Sequence, residues 1–219
     1  MTQAFDKEYW ESHWQEASGL ASCREIVPNP YLARQVRTLE PGTALDAGCG
    51  EGAEVVWLAT VGWRVTAADI SNEAISRASK RATKGGEAPG HVRWVEADLS
   101  VWEPDAQFDL VTTHYAHPAM PQLAFYERIS DWVTPGGTLL IVGHLHTAAS
   151  PWHGHGQEQE GHDHGPPEEV SVTAGNIKAR LDPARWDIVT ALEPTRILAN
   201  GLGRAVKLRD VVVSATRRP

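Results

Sequence analysis

The sequence predicts an α/β fold in which helices cover both faces of a doubly wound, mostly parallel sheet. Short apolar segments alternate with segments of helical periodicity, which is typical of strand–helix–strand units. Three successive apolar segments end in an aspartate, namely Asp46, Asp69 and Asp98, and the first runs into the glycine-rich turn 48–52. Because open α/β sheets bind ligands at the carboxyl ends of their strands, we expect the three acids to line one ligand-binding rim.

The composition limits the classes of partner. A length of 219 residues suits one domain spanning 1–219. The net charge of -8 argues against nucleic acid and favours a small-molecule substrate. Cys23 and Cys49 lack disulfide or metal-site spacing, and no apolar run approaches the ~18 residues of a membrane span. We therefore expect a cytoplasmic protein without a membrane partner, whose oligomeric state the sequence leaves open.

Two helices are predicted before the first strand. Segment 6–17 carries aromatic residues three to four positions apart. This helix either packs as ordinary core or acts as a flap, in which Trp14 closes over a bound nucleoside. The second helix is expected over 30–37, because Asn29 can cap it and Pro30 is tolerated at the first helical position.

The glycine-rich turn is predicted to cradle a nucleotide-containing cofactor. Gly48, Gly50 and Gly52 lie between a short apolar strand and a helical pattern over 54–59. Glycine lets the backbone adopt positive φ and approach a ligand closely, and the following helix directs free N–H groups to the same place.

The acid before the turn helps to identify that cofactor. Asp46 lies two residues before Gly48, where a nicotinamide or flavin cofactor would place an anionic pyrophosphate and be repelled. S-adenosylmethionine would instead place an ammonium and a sulfonium there, which attract a carboxylate. The pattern favours S-adenosylmethionine, with a nicotinamide cofactor as the alternative.

The next two strand ends are predicted to bind the nucleoside of the cofactor. Asp69 is expected to accept hydrogen bonds from both ribose hydroxyls, with Ile70 beside the adenine. Asp98 is expected to accept from the adenine amino group, with Ala97 and Leu99 beside the ring. Each acid could alternatively cap the turn or helix that follows it.

The remaining motifs complete a family resemblance. Further strands are predicted over 63–70, 92–99, 108–115 and 137–145, and helices over 72–83 and 121–133, with a turn at Pro135-Gly-Gly before the strand over 137–145. The motifs are Asp46-x-Gly48-x-Gly50-x-Gly52, Asp69, Glu96-Ala-Asp98, Phe108-Asp-Leu-Val and Pro135-Gly-Gly. Together they resemble a class I S-adenosylmethionine-dependent methyltransferase over residues 30–145. Tyr9-Trp and Asn29-Pro-Tyr-Leu resemble more narrowly the tellurite-resistance and thiopurine-type enzymes, whose N-terminal segment covers the cofactor.

The resemblance implies a Rossmann-like, seven-stranded sheet whose antiparallel last strand lies between the fifth and sixth. The sequence agrees, with a helix over 172–181 and strands over 186–192 and 207–216. The implied divisions are a helical cap over 1–40, a cofactor-binding core over 41–145, a His/Gly-rich loop over 148–167, and a helix and hairpin over 168–219.

Histidines follow two predicted strands near the expected methyl-transfer site. His114 and His117 follow the fourth strand, and His144 and His146 follow the fifth. A neutral imidazole can accept a proton from an incoming nucleophile, so His117 and His114 are candidate bases. They could equally be polar walls around the substrate. Thr113, on the fourth strand, is expected to contact the cofactor.

The segment 148–167 is rich in histidine and glycine and has no apolar periodicity. A solvated loop is expected, because such a composition buries too little surface to fold alone. Zinc, nickel or copper binding is the alternative. No metal ligand is assigned, but the possible ones are His153, His155, His162 and His164.

We therefore expect an enzyme that transfers a methyl group from S-adenosylmethionine to a small acceptor, either a thiol, a metalloid oxyanion or a hydroxyl. Two alternatives remain at this point: an NAD-dependent oxidoreductase, and a non-catalytic metal-binding protein built on the same fold.

Overall fold

The computed structural model describes residues 5–16, 27–84, 91–145, 172–199 and 205–219. The helices are α1 Lys7–Glu16, α2 Pro30–Val36, α3 Ala53–Thr60, α4 Asn72–Lys84, α5 Gln122–Ser130 and α6 Ala174–Arg180. The strands are β1 Thr43–Ala47, β2 Arg64–Asp69, β3 Val92–Glu96, β4 Phe108–His114, β5 Val133–His144, β6 Trp186–Leu192, β7 Thr195–Ala199 and β8 Ala205–Arg217. None of the helices in these ranges is both long and apolar enough to cross a bilayer.

The sheet has the doubly wound order β3-β2-β1-β4-β5-β8-β6, and β1 to β5 pair in parallel. The last strand, β8, lies antiparallel between β5 and β6, which confirms the expected topology. The main order contains the expected seven strands, and the described residues add an eighth, β7. The additional strand β7 pairs with the first part of β8, where β8 extends beyond its pairing with β5. A short ribbon of this kind has too little periodicity to be recognised from sequence.

Three predicted boundaries also change. β5 begins at Val133, so Pro135-Gly-Gly lies inside the strand instead of in a turn before it. A register shift between Phe108 and Leu110 accommodates this segment in the pairing of β4 with β5. α5 correspondingly ends at Ser130. β3 ends at Glu96, which leaves the following three residues at the rim.

Both faces of the sheet are covered by helices, as expected. On one face, α2 and α3 bury Leu32 and Leu58 against the sheet. On the other face, α5 and α6 bury Phe125 and Ile177 in a second apolar cluster. With both faces packed, the site can lie only at an edge of the sheet.

The predicted cap of the second helix is confirmed. The Asn29 side-chain oxygen accepts a hydrogen bond from the Tyr31 N–H at 3.0 Å, and Pro30 occupies the first turn. The first helix differs from a core helix, because none of the α1 residues is buried.

A buried polar cluster joins β7 and β8 to the end of β4. Asp210 is fully buried, and its carboxylate pairs with the Arg196 guanidinium. The same carboxylate accepts hydrogen bonds from the Tyr115 hydroxyl at 3.0 Å and the Tyr31 hydroxyl at 3.2 Å. Tyr115 has φ 55°, a left-handed conformation that is unfavourable for an aromatic residue. The cluster holds its ring in place despite that cost.

Breaking this cluster is expected to destabilise the protein. Asp210→Asn and Arg196→Met should each lower the free energy of unfolding by about 2–4 kcal/mol, because each leaves the remaining charge of the pair without its counter-charge. Urea unfolding of both variants and of the double variant measures the effect. We expect the double variant to lose at least about 1 kcal/mol less than the sum of the singles. Strictly additive losses would contradict direct coupling.

Candidate active site at the carboxyl edge of the sheet

The glycine turn adopts the predicted backbone conformation. Gly48 has φ 84° and Gly50 has φ 48°. A Cβ atom at Gly48 would lie 2.3 Å from the Cβ of Ala116, so this position has no room for a side chain. At Gly50, an added Cβ would lie 3.3 Å from the indole ring of Trp14. The turn is therefore enclosed by the segment after β4 on one side and by α1 on the other.

Asp46 is an ionisable group buried at the end of β1. Its side chain is 1% exposed, and neither carboxylate oxygen has a hydrogen-bond partner among the described residues. Burial raises the pKa of Asp46 to about 6. Buried carboxylates without hydrogen bonds are rare in proteins, so this atom pair indicates a cationic ligand.

His114 lies next to this acid. Its Nδ1 atom is 3.8 Å from the Asp46 Oδ1 atom, and its side chain is 5% exposed. Burial lowers the pKa of His114, but the charges of Asp46 and Glu54 outweigh that effect and raise it above its ordinary value. The imidazole is thus placed beside the cofactor cradle and not toward the outer mouth of the site.

Asp69 connects the end of β2 to the glycine turn. One carboxylate oxygen accepts the Gly50 N–H at 2.8 Å, and the other accepts the Ser71 N–H at 2.9 Å. Burial raises the pKa of Asp69 despite these hydrogen bonds. Ser71 caps α4 by accepting from the Ala74 N–H. The structure therefore shows the alternative role predicted for Asp69, which is to cap the turn that follows it. The same carboxylate also holds the glycine turn through the Gly50 N–H.

A cleft of about 330 Å³ lies at the predicted adenine position. Its lining includes Ile70, Ala97 and Asp98, together with Asp6 and Lys7 from the start of the chain's first helix.

The third strand-end acid also caps a turn. Asp98 accepts from the Ser100 N–H at 2.9 Å and from the Ser100 hydroxyl at 2.6 Å. Leu99 is 6% exposed and belongs to the apolar cluster behind the rim. The Thr113 hydroxyl donates to the Ala47 carbonyl at 2.7 Å, so it joins β4 to β1.

Helix α1 lies across this edge of the sheet. The Glu11 carboxylate accepts the Ser71 hydroxyl hydrogen bond at 2.7 Å, and Lys7 pairs with Glu96. At the other side, the Trp10 indole N–H donates to the His117 carbonyl at 3.1 Å. Together with Trp14 over Gly50, these contacts place the helix as a cover, which favours the flap over ordinary core packing.

His117 stands at the outer mouth, beyond the glycine turn. Its Nδ1 atom is 3.2 Å from the Gln122 Oε1 atom. Its ring lies 5.9 Å from Phe5 and 6.2 Å from the nearly parallel ring of His144. The Tyr115 ring lies 4.5 Å from His144. An aromatic wall therefore surrounds the predicted acceptor side.

The possible metal ligands His153, His155, His162 and His164 lie outside the described residues. Within the described ranges, no group of three or more histidine, cysteine or acidic residues could hold a metal ion.

Several site residues are not apparent from the sequence. Glu11, Arg196 and Asp210 reach the edge only through helix placement and strand register, which no local pattern encodes. Gln122 is an exception. It opens α5 only five residues after His117, and this short spacing could have indicated that the two side chains lie close together.

The residues at the edge fit S-adenosylmethionine. The Asp46 carboxylate, whose oxygens lack hydrogen-bond donors in the described part of the chain, suits its ammonium group, and Gly50, with φ 48° and no side chain, suits a ligand lying close to the backbone. A pyrophosphate would meet a buried acid at this point.

Comparisons with known proteins agree with this fit. A methyltransferase-domain model matches residues 44–137. Probable thiol methyltransferase 2 from Arabidopsis thaliana is 31% identical over 169 residues, which cover 75% of this chain and 68% of that protein. Thiocyanate methyltransferase 1 from the same organism is 27% identical over 215 residues, covering 91% of this chain and 84% of its own length.

A solved structure shows the same fold. The N-methyltransferase NodS from Bradyrhizobium japonicum, in complex with S-adenosyl-l-homocysteine, superimposes with a TM-score of 0.66 at 16% identity and covers 95% of this chain and 98% of its own. The relatives decide between the two cofactors that the glycine turn left open. The chain belongs to the class I S-adenosylmethionine-dependent methyltransferases.

Proposed function

We propose that this enzyme transfers a methyl group from S-adenosylmethionine to a small-molecule thiol, with the edge of the sheet as its active site. The observation that carries the proposal is the buried Asp46 carboxylate, which lacks any hydrogen-bond partner in the described part of the chain. S-adenosylmethionine supplies an electrophilic methyl group when it is bound.

The residues of the rim have distinct roles in holding the cofactor. Asp46 binds the ammonium group, and the backbone at Gly48 and Gly50 allows close approach. Asp69 binds the ribose hydroxyls while it keeps its hydrogen bond to the Gly50 N–H. Asp98, beside Ile70 and Ala97 in the cleft, binds the adenine.

The thiol assignment is supported by the relatives and by the mouth of the site. One relative is named a probable thiol methyltransferase and another a thiocyanate methyltransferase, so both names refer to sulfur acceptors. The mouth is lined by the rings of Phe5, His117, His144 and Tyr115, which suit a soft, weakly hydrated nucleophile. Metalloid oxyanions and hydroxyls are the competing acceptors.

His117 is the better placed of the two candidate bases. It lies at the mouth, whereas His114 is buried beside Asp46. A base at the mouth can remove a proton from the acceptor, and the cover formed by α1 keeps water away from the reacting groups. His114 instead moderates the charge of the acid that holds the cofactor.

A direct screen tests the proposal. Labelled methyl transfer should be measured with thiols, phenols, tellurite and selenite, and S-adenosyl-l-homocysteine and NADH should be compared as thermal stabilisers. We expect thiols to be methylated fastest and only S-adenosyl-l-homocysteine to raise the melting temperature. Faster methylation of an oxyanion or a phenol would overturn the thiol assignment.

Asp69→Ala should weaken S-adenosyl-l-homocysteine binding by about 1–3 kcal/mol, the scale of lost charge-assisted hydrogen bonds. It should also lower the melting temperature, because the Gly50 and Ser71 N–H groups lose their acceptor. Calorimetric titration measures the affinity. Asp105→Ala is the matched control, since the Asp105 side chain is 87% exposed. Unchanged affinity in folded Asp69→Ala would remove this residue from the site.

Asp46→Asn should stabilise the ligand-free protein at about pH 7.5 by about 1–3 kcal/mol and weaken S-adenosyl-l-homocysteine binding at least about tenfold. The folded-state pKa of Asp46, about 6, exceeds its ordinary value, so folding favours the protonated acid. Stability is therefore lost as pH rises from about 4 to about 6, and the loss is complete above that range.

The elevated pKa of His114 acts in the same direction, because the stability that it contributes is also lost as pH rises. The gain in the free energy of unfolding of Asp46→Asn over the wild type should therefore be smaller at about pH 4.5. Urea unfolding at the two pH values measures it, with Asp105→Asn as the control. A variant less stable than the wild type at about pH 7.5 would show that the ionised Asp46 carboxylate does not destabilise the folded protein.

A further inference from the structure

The side chain of Gln122 joins the first turn of α5 to the segment after β4. Its Nε2 atom donates to the Ala116 carbonyl at 2.9 Å, and its Oε1 atom lies 3.2 Å from the Nδ1 atom of His117. Gln122 thus contacts two consecutive residues of the mouth.

These two contacts determine where the imidazole proton lies. A carbonyl oxygen only accepts hydrogen bonds, so the amide nitrogen of Gln122 must face Ala116. The amide oxygen then faces His117, and it too can only accept. The Nδ1 atom of His117 must therefore carry the proton, and in the neutral ring the lone pair lies on Nε2.

We propose that Gln122 is a positioning residue that fixes His117 in the Nδ1–H tautomer, so that Nε2 takes the proton from a thiol acceptor. This inference rests on the proposed function, because it assigns an atom to the base in that reaction. It also favours an acceptor that arrives protonated over one that arrives as an anion, such as thiocyanate.

The surroundings connect this base to the cofactor cradle. Ala116, which accepts from Gln122, is the residue whose Cβ would meet a Cβ at Gly48 at 2.3 Å. The Trp10 indole donates to the His117 carbonyl, and the Phe5 ring lies against the imidazole. The histidine is held from three sides by α1, by the glycine turn through Ala116 and by α5.

The proton and electron balance of the step is simple. The thiol proton moves to Nε2 of His117, and the sulfur electron pair forms a bond to the transferred methyl carbon. The bond from that carbon to the sulfonium sulfur breaks, and its electrons remain on that sulfur. The imidazolium then gives its proton to water, which restores the Nδ1–H tautomer.

The tautomer can be observed without turnover. In protein labelled with ¹⁵N-histidine, long-range ¹H–¹⁵N correlations should show His117 protonated at Nδ1, with the resonance assigned by its loss in His117→Asn. Gln122→Met, which keeps the length but removes the hydrogen bonds, should convert this signal to a mixture of tautomers. Gln122→Glu retains an acceptor and should keep Nδ1 protonated. An Nε2–H signal in the wild type, or no change in Gln122→Met, would overturn the proposal.

Kinetics test the consequence for catalysis. In Gln122→Met, kcat with 2-mercaptoethanol should fall about tenfold or more while KM changes by less than about threefold, because the base is misoriented. With 4-nitrobenzenethiol, which is already ionised at neutral pH, the loss should be much smaller. Gln107→Met is the matched control, since Gln107 is exposed and precedes β4 at the opposite edge. Equal losses with both thiols would indicate a merely structural role and overturn the proposal.

The results expected if the proposed function is wrong differ from those expected if only the role of Gln122 is wrong. If the wild type methylates neither thiol although S-adenosyl-l-homocysteine binds, the thiol assignment fails and the base role of His117 fails with it. If the wild type methylates both thiols but the tautomer does not respond to Gln122, only the role of Gln122 fails.

Discussion

The carboxylate of Asp46 is the constraint on which the site depends. It is withdrawn from water near the end of a central strand, and neither oxygen meets a hydrogen-bond donor within the described ranges. The His114 imidazole lies 3.8 Å from it, and the glycine turn follows it directly in the chain. The fold stores an electrostatic cost at this point, which the binding of a cationic ligand would relieve.

The rest of the edge explains how that cost is tolerated. Asp69 ties the turn to the second strand, and Ser71 ties the next helix to α1 through Glu11. The contacts made by α1 are polar or aromatic, and none of its residues is buried. Few buried apolar contacts hold α1 to the sheet, and attachment of this kind lowers the free energy of local opening.

Much of this arrangement could be predicted from sequence, because it depends on local pattern. The sheet follows from apolar segments that alternate with helical ones, and the rim follows from acids at strand ends such as Asp46 and Asp69. What could not be predicted depends on long-range register. The pairing of Arg196 with Asp210 requires β7, whose five residues carry no clear period. The capping role of Asp98 was only one of two possibilities until Ser100 was seen to donate to it. The expected turn at Pro135-Gly-Gly was wrong because a register shift lets the strand continue through it.

Strand β8 serves two parts of the molecule. Its second half, from Asp210 onward, pairs with β5 and completes the core sheet, whereas its first half pairs with β7 beside the mouth. Asp210 stands at the junction, opposite His144. The β7–β8 hairpin residues that pair before Asp210 lie on the far side of β4 and β5 from β1, the strand that leads into the glycine turn. A substitution in this hairpin therefore acts on the edge of the sheet through Arg196 and Tyr115, and the glycine turn lies outside its direct contacts.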